Sequence, residues 1–306
     1  MRRGSVLVLA AMGVLAVANI GFAVDPPTGP PPIFGPDSSG DQLVFYYDAR
    51  DGFTTFLTVR NRSIATKVVQ VSFYGPEFAN PPFTQTITLA GGGLHILDAG
   101  ALHASGLPPR VGVAFATVID GSGTGITSWA LSGNFTVANL ATGSAWGAPA
   151  LARSAVHDDG TFPSPGSIID NTVVSLPAIC MPGLELAAYY DPDALAPSDD
   201  GGNQLIFLSF EDVAGTPLGV QSATTDWSVY GLRSNGSLLA NTGFSGTGVV
   251  VTNLVTVLGA DPSGSSGSIL FESTPYCGRR TSLIFFAEAL GTFGTGYLLP
   301  HYPLVF

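Results

Sequence analysis

The sequence is poor in charge and poorest in lysine. Asp, Glu, Lys and Arg make up 11% of its 306 residues, and Lys67 is the one lysine. Eleven basic residues stand against 22 acidic ones, a formal net charge of −11. A surface of that sign repels nucleic acid and anionic lipid, which argues against both as partners. The preference for arginine over lysine is a compositional habit of GC-rich bacterial genomes. Long apolar runs are missing too. A membrane-spanning helix needs roughly 18 to 20 consecutive apolar residues, no segment offers them, and no membrane span is expected.

Catalytic signatures are equally scarce. His95, His103, His157 and His301 show no paired spacing and His-Glu-x-x-His is absent, which argues against a zinc hydrolase. Gly-x-Ser-x-Gly is absent as well; the nearest text, Gly264-Ser265-Ser266-Gly267-Ser268, reads as a flexible turn. A Ser/His/Asp triad gathered from distant loops is recognised by geometry rather than sequence, so a hydrolase stays among the alternatives. The expectation is a chain that is not an enzyme and needs no cofactor.

Cysteine is limited to Cys180 and Cys277. Two cysteines do not make a structural zinc site. In an exported chain an even count favours a disulfide. Joining Cys180 to Cys277 closes a loop of 97 residues, which the chain-entropy picture values at about 4 to 5 kcal/mol at most.

Export is read from the start of the chain. Met1-Arg2-Arg3, an apolar run from Val6 to Ala18 and Gly21-Phe22-Ala23 form a secretory signal peptide over residues 1–23. Its removal takes two arginines and leaves 9 basic and 22 acidic residues, a net charge of −13. The expected location is secreted or cell surface, in a bacterial envelope. Residues 24–37 follow as a stiff leader carrying six prolines.

What the chain has in abundance is glycine (39), proline (23) and alternating apolar and polar residues. Phe83, Gln85, Ile87 and Leu89 alternate with Thr84, Thr86 and Thr88, the period of a half-buried strand. Val69, Val71 and Phe73 do the same. Strands are expected at 42–48, 53–60, 67–74, 83–89, 94–98, 111–119 and 126–137, then at 184–190, 204–210, 226–232, 249–258, 268–272 and 282–290. Asp98 to Ser105, capped by Asp98 and stopped by Gly106, reads as a short helix. The fold class is all-β.

The chain also echoes itself. Tyr46-Tyr47-Asp48 recurs as Tyr189-Tyr190-Asp191, 143 residues later, and Phe56-Leu57 as Phe207-Leu208. Ser72-Phe73-Tyr74-Gly75 matches Ser228-Val229-Tyr230-Gly231, and Gly112 to Phe115 matches Gly267 to Leu270, at offsets of 156 and 155. Thr127-Ser128 with Thr281-Ser282, and Thr142-Gly143 with Thr295-Gly296, continue the series. Ordered echoes are the mark of an internal duplication. Unit 1 is set at residues 38–151, a connector at 152–183 and unit 2 at 184–306. Each unit has the size of an immunoglobulin-like sandwich, with a jelly roll as the competing arrangement.

The text Thr54 to Asn61, then Val69 to Gly75, then Thr86 to Gly93 resembles exported bacterial Ig-like modules. In these, a strand ending in an Asn-containing turn precedes an outer strand and a Leu-x-Gly-Gly hairpin. The resemblance implies tandem sandwiches and leaves their role open.

Contact candidates follow from the echoes. Adjacent aromatics put one ring on each face of a strand, so Tyr47 and Tyr190 are candidates to stack on a sugar or a partner protein. Asp191, Asp193, Asp199 and Asp200 lie on a Gly-rich loop whose oxygens suit calcium, although the spacing is not that of an EF-hand. The C-terminal segment Leu298 to Phe306 reads as an edge strand able to pair with a neighbour. Pro300 and Pro303 argue against an outer-membrane barrel. The functional expectation is a non-catalytic structural or adhesive protein that associates with itself or with a cell-surface partner. A carbohydrate-binding module with a glycan partner is the alternative.

Overall fold

The computed structural model describes residues 40–153 apart from 80, 127 and 129, together with 183–190, 204–213, 219–259, 267–273, 280–290, 293–298 and 301–303. The signal peptide, the leader, most of the connector, Cys180, Cys277 and Asp191, Asp193, Asp199 and Asp200 lie outside them.

The alternating sequences of the first half form β1 (Gln42–Asp48), β2 (Phe53–Asn61), β3 (Lys67–Tyr74), β4 (Phe83–Leu89), β5 (Leu94–Asp98), β6 (Val111–Ile119), β7 (Leu131–Asn139), β8 (Ala145–Pro149) and β9 (Leu151–Arg153). The second half contributes β10 (Gly183–Tyr190), β11 (Gln204–Asp212), β12 (Val220–Ser222), β13 (Thr224–Arg233), β14 (Leu238–Asn253), β15 (Gly267–Ser273), β16 (Arg280–Leu290), β17 (Phe293–Leu298) and β18 (His301–Pro303). Sheet I runs β4-β3-β6-β1-β9 and sheet II runs β5-β2-β7-β8. Sheet III has nine strands in the order β17-β16-β11-β14-β13-β15-β10-β18, with β12 on β11. Every pairing is antiparallel, the arrangement is a β-sandwich, and the described strands close no barrel.

Sheet III is two limbs joined by one strand. Residues up to Thr247 of β14 pair with β13, and Gly248 to Asn253 pair with β11. Strands that pass between sheets need a bend, and Gly248 supplies it with φ +70°.

With the limbs separated and β12 set aside, the second half repeats the strand order of the first. The limb β14-β13-β15-β10-β18 matches β4-β3-β6-β1-β9, and β14-β11-β16-β17 matches β5-β2-β7-β8. In the first half the two strands matching β14 are separated by a turn containing Gly92 at φ +72°. Between β5 and β6 sits a 3-10 turn, Ala101–Ser105, whose first N–H donates to Asp98 Oδ1 at 3.1 Å. Between β14 and β15 sits α1 (Leu254–Leu258), where the Thr256 N–H donates to Asn253 Oδ1 at 2.8 Å. Asp98 and Asn253 thus bond the third residue on, as N-capping side chains do. The register of β1 on β6 also repeats: Tyr47 faces Gly112, and Tyr190 faces Gly267.

In both repeats the second strand pairs with the fifth and the third with the sixth, as B–E and C–F do in immunoglobulin domains. The first strand, however, joins the sheet of the third and sixth, and the seventh joins that of the second and fifth. Relative to the immunoglobulin order the terminal strands are exchanged.

The expected strand over residues 249–258 is corrected. Its last five residues are helical, because the Asn253 cap competes successfully for a backbone N–H in an apolar, β-branched run. The seventh strand starts at Leu131 rather than at 126, and β8 and β9 were not expected.

Side chains alternate faces along a strand, so uninterrupted burial means that both faces are covered. β1 is buried throughout, β6 from Gly112 to Ile119 and β11 from Leu205 to Phe210. Leu205 and Phe207 belong to a core with Trp227, Val229, Ile269 and Phe271. The alternate residues Ile206, Leu208 and Phe210 belong to the core of the first repeat. The repeats therefore share a core instead of hanging as separate beads.

Candidate interaction surfaces

The joint between the repeats begins at the end of β3. Gly75 to Phe78 form a turn in which the Phe78 N–H donates to the Gly75 carbonyl at 3.0 Å. Phe78 holds φ at +53°, a left-handed conformation that a bulky side chain rarely adopts. Packing holds it there. Its ring stacks on Tyr74 at 5.7 Å and 28° and on Phe210 of β11 at 5.7 Å and 26°, and lies 6.3 Å from Phe115 of β6. Phe210 meets Phe115 edge-on at 5.1 Å. Such pairs contribute about 0.5 to 1.5 kcal/mol each beyond area burial, enough together to offset the roughly 1 to 2 kcal/mol cost of a left-handed residue. The backbones meet as well: the Val249 N–H donates to the Pro76 carbonyl at 3.0 Å. A Cβ on Gly248 would stand 2.0 Å from that oxygen. Burial in this joint pushes the Tyr74 hydroxyl pKa up to about 12.

A second apolar face is uncovered. On sheet II, Phe56, Thr58 and Arg60 of β2 pair with Asp98, Ile96 and Leu94 of β5, and residues directly opposite share a face. Phe56 is 37% exposed, and Leu94 and Ile96 are each 55% exposed. Asn134 and Thr136 of β7 stand opposite Thr58 and Phe56 on the other side. Leu94 and Ile96 lie on the edge strand β5, beside Phe56, Thr58 and Arg60 of β2, with nothing in the described structure lying over them.

The sequence-derived contact candidates fare differently. Tyr47 is corrected: it is fully buried, and so is Tyr46, so neither ring offers a surface platform. The expectation that one ring of the pair points outward failed because β1 is covered on both faces. The Tyr47 hydroxyl donates to the Tyr74 carbonyl at 3.0 Å and accepts from Arg110 Nε at 3.3 Å. It reaches across Gly112, where a Cβ would come within 2.8 Å of the Tyr47 ring. Burial raises the Tyr47 hydroxyl pKa above its usual value, against the lowering effect of the Arg110 bond. Tyr190 lies on β10 opposite Gly267. Trp227 is buried, and Trp146 stacks on Tyr46 at 5.9 Å. Of the C-terminal segment, β18 pairs with β10 at the sheet edge, as an edge strand should.

Phe78 escaped the sequence reading, since a lone aromatic in the Gly-Pro-Glu-Phe turn carries no periodicity. Leu94 and Ile96 were legible as strand residues. Their exposure depends on what packs outside sheet II.

No protein-family model matches the chain, and no curated protein matches it. A solved structure from Parabacteroides distasonis ATCC 8503, described as "a putative secreted protein", is similar over 85% of this chain and 86% of that one. Identity is 10% and the TM-score is 0.20.

Proposed function

We propose that this chain is an exported, non-catalytic structural or adhesive element of the bacterial surface whose partners are protein surfaces, other copies of itself included. The observation that supports this reading is the joint: Phe78, Phe115 and Phe210 bind the repeats through one core, so the pair behaves as a rigid body able to hold surfaces at fixed separation. A flexible tether between separate sandwiches would transmit no such geometry. Export rests on residues 1–23, whose charge, apolar run and small residues fit a signal peptide. The disulfide Cys180–Cys277 and a calcium ion at the Asp191 to Asp200 loop belong to this reading as proposals of the sequence alone.

Fractionation of cells producing the full chain tests it, by asking whether the processed protein reaches the surface or medium. Retention in the cytoplasm, or turnover of any member of an ester, peptide and glycoside substrate panel, would overturn it.

A further inference from the structure

The joint inside the chain pairs two unlike faces. The face of β11 and β14 carrying Ile206, Leu208, Phe210 and Val249 lies on the first repeat, where Phe210 meets Phe115. Each face has a counterpart in the other repeat. Stepping back 155 residues, the offset between Gly112 and Gly267, takes Val249 and Val251 to Leu94 and Ile96. The ladders agree. Leu94 and Ile96 pair with Arg60 and Thr58 of β2, as Val249 and Val251 pair with Leu208 and Ile206 of β11. Yet Val249 is 7% exposed where Leu94 and Ile96 are each 55% exposed.

The converse holds for the other face. Tyr74 and Phe115 are each 3% exposed; Phe210 of the second repeat covers Phe115, and Tyr74 packs on Phe78 and Phe115. By sequence offset the counterparts of Tyr74 and Phe115 are Tyr230 and Leu270, half-buried and directly opposite one another on β13 and β15. By ladder the place of Phe115, opposite Ser72, falls to Glu272, opposite Ser228, which accepts from the Tyr230 hydroxyl at 3.3 Å. Each repeat thus keeps, outside the joint, a face in the same place as the one its partner repeat uses, with Thr58 and Arg60 in place of Ile206 and Leu208 and Glu272 in place of Phe115.

We propose that the Phe56, Leu94 and Ile96 face of one molecule seats on the Tyr230 and Leu270 face of a second copy, repeating the internal joint between molecules and assembling the chain head to tail. This rests on the reading of the protein as a structural element and names its self-association surfaces. Because the faces differ, the contact is heterologous, and each added copy leaves one face of each kind open for the next. The counterpart of Phe78, 156 residues on, is Ser234, in a turn closed by the Arg233 N–H donating to the Ser237 carbonyl at 2.8 Å. The aromatic wedge is therefore missing from the contact between molecules. That contact is weaker than the internal joint and depends on concentration.

Sedimentation velocity of the secreted full-length product over a concentration series tests the proposal. The wild type is expected to form species larger than a dimer as concentration rises. Leu94→Glu with Ile96→Glu should remain monomeric at the same concentrations, and so should Tyr230→Glu. An equimolar mixture of the two variants should give a dimer and nothing larger, because each retains one intact face. Ser228→Arg, exposed on the Tyr230 face, replaces Tyr230→Glu if circular dichroism shows the latter unfolded. A wild type that stays monomeric, variants that assemble like the wild type, or a mixture that stays monomeric would each overturn the proposal. Those outcomes leave the fractionation result untouched, so a failed face assignment is distinguishable from a failed functional reading.

Discussion

Truncating Phe210 probes the joint most directly. Its ring is fully buried and lies across the repeat boundary, stacked on Phe78 at 5.7 Å and edge-on to Phe115 at 5.1 Å. Phe→Ala at such a site costs about 3 to 5 kcal/mol, the sum of lost transfer energy and an unfilled cavity. That alone would show burial and nothing more. The specific test is a double-mutant cycle with Phe78→Ala, because neighbours in contact are non-additive while distant sites add. The stacked pair should register a coupling of about 0.5 to 1.5 kcal/mol. Denaturant unfolding of the four proteins, followed by tryptophan fluorescence, measures it, provided the slopes against denaturant agree. Phe210→Ala with Ile284→Ala is the control. Ile284 is buried in the second repeat's own core, away from the joint, and should add independently. Additivity of Phe78→Ala and Phe210→Ala within about 0.3 kcal/mol would refute the shared core, since that is the scatter of independent sites.

Other consequences follow from single atoms. Gly92→Ala and Gly248→Ala both force a methyl group into the left-handed region, at about 1 to 2 kcal/mol each. At Gly92 nothing lies within 4 Å of the new Cβ, whereas at Gly248 the Pro76 oxygen is 2.0 Å away. Thermal melting should therefore rank Gly248→Ala clearly below Gly92→Ala, and equal losses would deny the close approach. Asn61 is buried, and its Nδ2 donates to the carbonyls of Ala65 (2.7 Å), Leu89 (3.2 Å) and Ala90 (3.0 Å). Asn61→Ala should lose about 2 kcal/mol or more, given that each buried group left unpaired costs about 1 to 3 kcal/mol; an unchanged melting temperature would contradict this. Tyr46, Tyr47 and Tyr74 all have hydroxyl pKa values raised by burial, Tyr74 from 10.0 to about 12. A raised value in the folded state means that the contribution is intact below the ordinary pKa of 10.0 and is lost as pH rises from there toward about 12. Ultraviolet difference titration should show these tyrosines ionising late, and Tyr74→Phe should remove one such group.

Much of this fold is local and therefore readable. β3 and β4 fall where alternation puts them, because a strand with one side to the core writes its period into the chain, and β1, β5 and β6 fall on the expected apolar runs. The Asp98 turn and its closing Gly106 are equally local. The duplication was visible as echoes, although Phe56-Leu57 and Phe207-Leu208 mislead in detail. Both pairs lie on corresponding strands, but Phe56 points outward while Phe207 is core. A two-residue echo does not carry the face, which a shift of one residue inverts.

The sequence by itself determined the all-β class, the place of most strands in the first half and the echoes of two related units. Each of those is set by neighbours a few residues apart, or by copying of the chain. Only the tertiary structure decided which faces are covered. Tyr47 disappears beneath Gly112 and the Tyr74 backbone, Phe78 becomes a wedge, and Leu94 and Ile96 remain bare while Val249 is buried. An apolar residue on a strand reads the same whether a second sheet lies over it or water does. The difference arises from contacts far apart in sequence, such as Tyr47 with Tyr74, Phe78 with Phe210 and Pro76 with Val249, that no local pattern encodes.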